Sequence, residues 1–105
     1  MDRPVLLCGL GKVGWRVLDF LRAAGTPVVA IDVRADPEDP RLAGIRYVKG
    51  DCRNPLVLER AGVATSEGIL IVTSDDLVNV ATALAVRRLN PTSRIVVRMF
   101  NPGLI

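Results

Sequence analysis

Short, unbroken apolar runs separated by stretches of helical period constrain this chain more than any other feature. Val5-Leu6-Leu7-Cys8, Val28-Val29-Ala30-Ile31, Ile69-Leu70-Ile71-Val72 and Ile95-Val96-Val97 show no alternation of apolar and polar residues. A run of this length without alternation suits a strand covered on both faces, as in a parallel sheet. Ile45–Val48 is a weaker fifth example, ending at Gly50-Asp51. Between the first two runs, Val13, Val17, Phe20, Leu21 and Ala24 recur at helical spacing, and Gly25 and Pro27 close the helix. Asn54-Pro55 caps a short helix over Leu56–Ala61 that stops at Gly62. Ser74-Asp75-Asp76 opens a longer helix with a predicted core stripe of Leu77, Val80, Ala81, Leu84 and the stem of Arg88, ended by Asn90-Pro91. Residues 33–44 carry two prolines and should form a loop or one helical turn.

Strands alternating with helices call for right-handed crossovers and a parallel sheet. The expected fold is α/β, a Rossmann-like doubly wound parallel sheet of strand order 3-2-1-4-5, built as one domain over residues 1–105. Its ligand crevice then opens at the carboxyl ends of strands 1 and 4, where the winding reverses.

Composition narrows the function. The chain is 50% apolar, 24% charged and only 4% aromatic, a balance that suits a folded globule. It contains no histidine, so the commonest general base and the commonest zinc ligand are absent from the sequence. The net charge of +3 is mild, with Arg87-Arg88 the only adjacent basic pair and no aromatic residues interleaved, so nucleic-acid binding is not expected. No apolar run approaches the roughly 20 residues that span a bilayer, and the N-terminus lacks a long signal-like apolar region. The expectation is a cytoplasmic module without direct membrane insertion. Cys8 and Cys52 are expected about two strand spacings apart, roughly 9–10 Å, as reduced apolar fillers forming neither disulfide nor metal site.

Gly9-Leu10-Gly11-Lys12-Val13-Gly14 is a full GxGxxG between an expected strand and an expected helix, and Asp32 follows at the end of the next strand. In that context the pattern points to a bound nucleotide. Gly9 allows the tight turn, Gly11 lets a pyrophosphate reach backbone amides at the positive end of the helix, and Gly14 allows close helix–sheet packing. Asp32 can accept the hydroxyls of an adenosine ribose and disfavours a 2′-phosphate. It does not separate NAD from ATP, ADP or AMP, which carry the same ribose hydroxyls. Lys12 can meet a terminal phosphate or remain a solvated first-turn lysine. Arg34 can stack on a base or stay in solvent. Asp51 and Cys52 should edge the adenine pocket, and Thr73 and Ser74 should face the ligand's middle unless they serve as helix caps. Arg98 faces the same rim or forms a surface ion pair. There is no Tyr-x-x-x-Lys spacing around Tyr47, no GxSxG, no P-loop ending, and Asp75-Asp76 diverge as caps. No nucleophile–base pair emerges, so no catalytic role is expected.

The blocks GLGKVG, VVAID, VKGDCRNPLVLERAGV, ILIVTSDDLVNVATALAVRRLNP and IVVRMFNP, in this order, closely resemble the nucleotide-binding lobe of RCK domains, the regulators of potassium conductance also called the TrkA-N family. Nearly the whole chain takes part. The resemblance implies a non-enzymatic regulatory lobe of a membrane-embedded potassium channel or transporter, with NAD(H) or an adenine nucleotide as effector and pairing into dimers or larger rings. It implies phosphate contacts from Gly9, Leu10, Gly11, Lys12 and Val13, and ribose and adenine-edge contacts from Asp32, Val33 and Arg34. Asp51 and Cys52 would then flank adenine, and Thr73, Ser74 and Arg98 would line the rest. Two departures stand out: the proline-broken segment at 33–44, and a sequence that stops just after strand 5, leaving Met99–Ile105 as an apolar end. The alternative is the dinucleotide-binding fragment of an NAD-dependent dehydrogenase, which an adjoining substrate domain would reveal.

Overall fold

The apolar runs become strands, and the central ones are buried from both sides. The computed structural model describes residues 3–101. β1 (Val5–Cys8), β2 (Val28–Asp32), β3 (Arg46–Lys49), β4 (Gly68–Ile71) and β5 (Arg94–Val97) form one parallel sheet in the order β3-β2-β1-β4-β5. Within β1 and β2, neighbouring residues serve opposite layers. Leu6, Cys8, Val29 and Ile31 pack with α2 (Pro55–Arg60) and α3 (Asp76–Leu89). Leu7, Val28 and Ala30 pack with α1 (Lys12–Ala23). Both faces of a central strand are therefore apolar, which is why alternation is absent from the sequence. The expected fold class and strand order stand.

Helix faces are less faithful to the apolar pattern. On α1 the buried positions are Gly14 and Leu18, whereas Phe20 is 76% exposed. The predicted stripe through Phe20 is thus rotated: the close approach at Gly14 orients the helix, and Leu18, one turn on, follows it. On α3 the correction is larger. The predicted core residues Leu77 and Leu84 are exposed, at 68% and 59%, while Asn79, Thr82 and Val86 face the sheet. The buried polar side chains are affordable because each is bonded. The Asn79 amide donates to the carbonyls of Thr73 (3.1 Å) and Arg98 (2.9 Å), and the Thr82 hydroxyl donates to Val78 (2.7 Å).

Local signals acted as read at several ends. Gly25, at φ +72°, follows α1; Asn54 caps α2 through the Leu56 N–H; and Gly62, at φ +82°, ends it. Residues 33–44 contain one 3₁₀ turn, Pro40–Leu42, whose Leu42 is buried beside α1. A second 3₁₀ turn, Val63–Thr65, was not anticipated. The α3 cap is Asp75 rather than Ser74, accepting from the Val78 N–H at 3.1 Å. The apolar end lies partly outside the described residues; within them, Phe100 and Asn101 donate their N–H groups to the Asp76 carboxylate at 2.8 Å. No described helix is long and apolar enough to cross a membrane.

Candidate functional site

Three turns leave the carboxyl ends of β1, β2 and β3 on one side of the sheet, and the start of α3 closes the other. Together they enclose a cavity of about 730 Å³, within the range of small-molecule sites, roughly 300–1,000 Å³. Of the sequence-predicted residues, Gly9, Leu10, Gly11, Asp32, Val33, Arg34, Asp51, Cys52, Thr73 and Ser74 line it. Lys12, Val13 and Arg98 lie outside that lining. Lys12 is exposed at the start of α1, and Val13 packs on the core beneath that helix. Arg98 sits with its guanidinium 3.9 Å above the Phe100 ring.

The glycines differ in what surrounds them. Gly9 has φ +107°, and a Cβ there would come within 2.9 Å of the Thr73 nitrogen. A Cβ on Gly14 would come within 1.9 Å of the Gly9 carbonyl oxygen, so no side chain fits. Gly11, which caps α1, has no atom within 4 Å of a built Cβ. Two glycines are thus required by the protein's own packing, while the third leaves open space at the positive end of a helix. That is the cradle a phosphate group requires.

Asp32 is committed to the backbone. One carboxylate oxygen accepts the Leu10 N–H at 2.8 Å, and the other accepts the Arg34 and Ala35 N–H groups at 2.9 Å each. The acid therefore ties the glycine loop to the turn after β2. A carboxylate offers about four acceptor sites, so the oxygen facing Leu10 keeps one for a ribose hydroxyl. Tyr47, on β3, braces the same turn: its hydroxyl lies 2.9 Å from the Asp32 carbonyl and 2.8 Å from that of Ala35. Burial, then the charges of Asp32 and Asp36, push the phenol up to about 12.

Sequence reasoning missed the wall beyond Asp32. Trp15, Asp36, Asp39, Arg41 and Arg53 also line the cavity. The Arg41 guanidinium lies 3.7 Å above the Trp15 ring and pairs with Asp39 through Nε (3.1 Å) and Nη2 (2.8 Å). Arg22 of α1 donates to the carbonyls of Arg41 (2.7 Å) and Ala43 (3.1 Å), fastening this segment to the helix. Arg53 clasps Asp51 in the same manner, closest at 2.6 Å. In both pairs the arginine beside the acid holds its carboxyl below the usual range. The only sequence signals were spacing: Arg follows Asp by two residues in Asp39-Pro40-Arg41 and in Asp51-Cys52-Arg53.

Both cysteines are interior, as fillers should be. Cys52 stands past the end of β3. Both are buried free thiols in one core cluster. The Cys52 sulfur is 3.1 Å from the Thr82 hydroxyl oxygen.

The TrkA-N domain family matches residues 5–104. Potassium channel protein 1 of Methanocaldococcus jannaschii is 28% identical over 111 aligned positions, covering 100% of this chain and 32% of that protein. A solved structure of GsuK bound to ADP superposes with a TM-score of 0.77 at 30% identity, over 90% of this chain and 24% of that one. The TrkA-N domain of the Escherichia coli inner membrane protein ybaL superposes at 0.83 and 24% identity, over 90% of this chain and 71% of that one, which establishes the shared fold. The chain spans about a third of the length of the channel protein it matches.

Proposed function

The chain belongs to the TrkA-N family, and on that premise we propose that it is the nucleotide-sensing regulatory lobe of a potassium channel or transporter. The observation that carries this reading is the open space over Gly11 at the start of α1, a short reach from an Asp32 already bound to the loop through Leu10. The ligand is NAD(H) or an adenine nucleotide with both ribose hydroxyls free. The α1 N-terminus and the loop amides hold its phosphates, and Asp32 accepts a ribose hydroxyl. The turns bearing Val33 and Arg34 and bearing Asp51 and Cys52 bound the base, and Thr73 and Ser74 face the middle of the ligand. Lys12 and Arg98 swing inward from outside the lining.

Regulation is by linkage. A ligand moves a gate only through its different affinity for two arrangements, typically about 1–3 kcal/mol of coupling. The lobe needs no chemistry of its own for this, and it acts at the inner face of the membrane by pairing with further copies and with a pore partner. The exposed α3 face, with Leu77 and Leu84, supplies apolar surface for such pairing. Titration calorimetry against NAD, NADH, ATP, ADP and AMP tests the sensing role. Saturable heat with at least one of them is expected; no heat with any leaves a pure assembly module.

A further inference from the structure

The cavity wall beyond Asp32 holds a guanidinium whose hydrogen-bonding capacity is only partly used. Arg41 lies 3.7 Å above the Trp15 ring, and Asp39 accepts from its Nε at 3.1 Å and from its Nη2 at 2.8 Å. A guanidinium carries five N–H donors in a planar fork. Asp39 occupies one edge of that fork, and no described residue accepts from Nη1. We infer that Arg41 is a specificity-determining residue of the cavity, donating from its Nη1 edge to a ribose hydroxyl oxygen whose proton Asp32 accepts. The inference rests on the nucleotide role proposed above.

Three contacts put this donor at the ribose end. Asp32 accepts the Ala35 N–H at 2.9 Å, so the segment bearing Arg41 leaves directly from the carboxylate assigned to the ribose. Leu42, the next residue after Arg41, is buried in the core cluster that also holds Leu10, whose N–H Asp32 accepts at 2.8 Å. The Trp15 N–H donates to the Gly11 carbonyl at 3.0 Å, one helical turn from the phosphate cradle. Helical side chains lean toward the N-terminus, so the ring carries Arg41 toward that end of α1. Arg41, Trp15 and Asp32 line the same cavity.

The donor is also held still. Asp39 takes the Arg41 backbone N–H at 2.9 Å as well as its guanidinium, and Arg22 donates to the carbonyls of Arg41 and Ala43. A side chain ordered before the ligand arrives loses little freedom on binding, which favours affinity.

Charge selects a hydroxyl over a phosphate at this position. Asp32, Asp36 and Asp39 line the wall with Arg34 and Arg41, three negative side chains against two positive. A phosphate on the ribose would enter a net negative surround. A hydroxyl has one proton to give and lone pairs to receive another, so it satisfies Asp32 and Arg41 together without adding charge.

The test titrates AMP, its 2′-deoxy and 3′-deoxy forms, and adenosine 2′,5′- and 3′,5′-bisphosphate into the parent chain and into Arg41→Gln, with thermal unfolding as the folding control. The parent should bind AMP about tenfold tighter than at least one deoxy form, and neither bisphosphate should bind tighter than AMP. In Arg41→Gln, AMP should bind about tenfold more weakly, and the deoxy penalty should shrink to about threefold or less. Trp15 is the only tryptophan, so its emission reports the stack in the unsubstituted protein. AMP should change that emission, and the disfavoured deoxy form should change it much less at saturation. Should Arg41→Gln fail to fold, the parent's deoxy penalty and its emission carry the test. An unchanged penalty in a folded Arg41→Gln, no penalty in the parent, a bisphosphate that outbinds AMP, or equal emission changes would overturn the inference. A parent chain that binds none of these ligands also overturns it; the nucleotide role falls as well only if ADP and NAD give no heat.

Discussion

Replacing Asp32 with alanine should damage the fold as well as the binding site, although an exposed carboxylate ordinarily contributes little to stability. The carboxylate accepts three backbone N–H groups, of which those of Leu10 and Ala35 are partly buried and that of Arg34 is exposed. Hydrogen bonds to a charged acceptor are worth about 1.5–3 kcal/mol each. Water replaces the exposed one and screens part of the other two, so the expected loss is about 2–4 kcal/mol, against a total of roughly 5–15 kcal/mol for a domain. For a chain of this size that lowers Tm by roughly 8–20 °C. Asp32→Asn keeps one carbonyl oxygen for the Arg34 and Ala35 donors and sets an NH2 against the Leu10 N–H. Its cost should be near half as large, about 1–2 kcal/mol. Thermal unfolding by circular dichroism measures both, and calorimetry with AMP should find binding lost in each. An alanine variant melting within about 2 °C of the parent would refute the claim that this acid ties the glycine loop down.

Other perturbations separate packing from binding. Gly14→Ala should fail to fold stably, because its Cβ would meet the Gly9 carbonyl oxygen at 1.9 Å; a soluble, cooperatively melting variant would contradict the packing role. Tyr47 is the only tyrosine, so absorbance at high pH reports it alone, and its midpoint should fall near 12. A phenol with a raised folded value stabilises fully below its unfolded value near 10, and that stability disappears as pH rises through 12. Tyr47→Phe should therefore flatten the stability profile between those limits, and an unchanged slope would show that the phenol does not brace the turn. Leu84→Lys should change stability by no more than about 0.5 kcal/mol, since the side chain is 59% exposed; a large loss in a monomeric sample would return Leu84 to the core.

Backbone-driven features were legible in the sequence because their signals are local. Unbroken apolar runs mark strands, Gly25 and Gly62 mark helix ends, and GLGKVG with Asp32 marks the turn proposed to hold phosphate. The sheet order followed from topology alone. The helix faces misled because burial on α3 is not a matter of hydrophobicity. Asn79 and Thr82 reach the interior by hydrogen bonding, and the leucines they displace remain outside. The Trp15–Arg41 wall was invisible because it joins two segments far apart in sequence through a stack.

The central claim is that the bare backbone at Gly11 receives a phosphate. Calorimetric titration of AMP and NAD into the parent chain and into Gly11→Val tests it directly, since the added side chain would fill space that no protein atom occupies. Saturable heat in the parent, lost in a variant that still unfolds cooperatively, is the predicted result. Equal affinity in both proteins would contradict it.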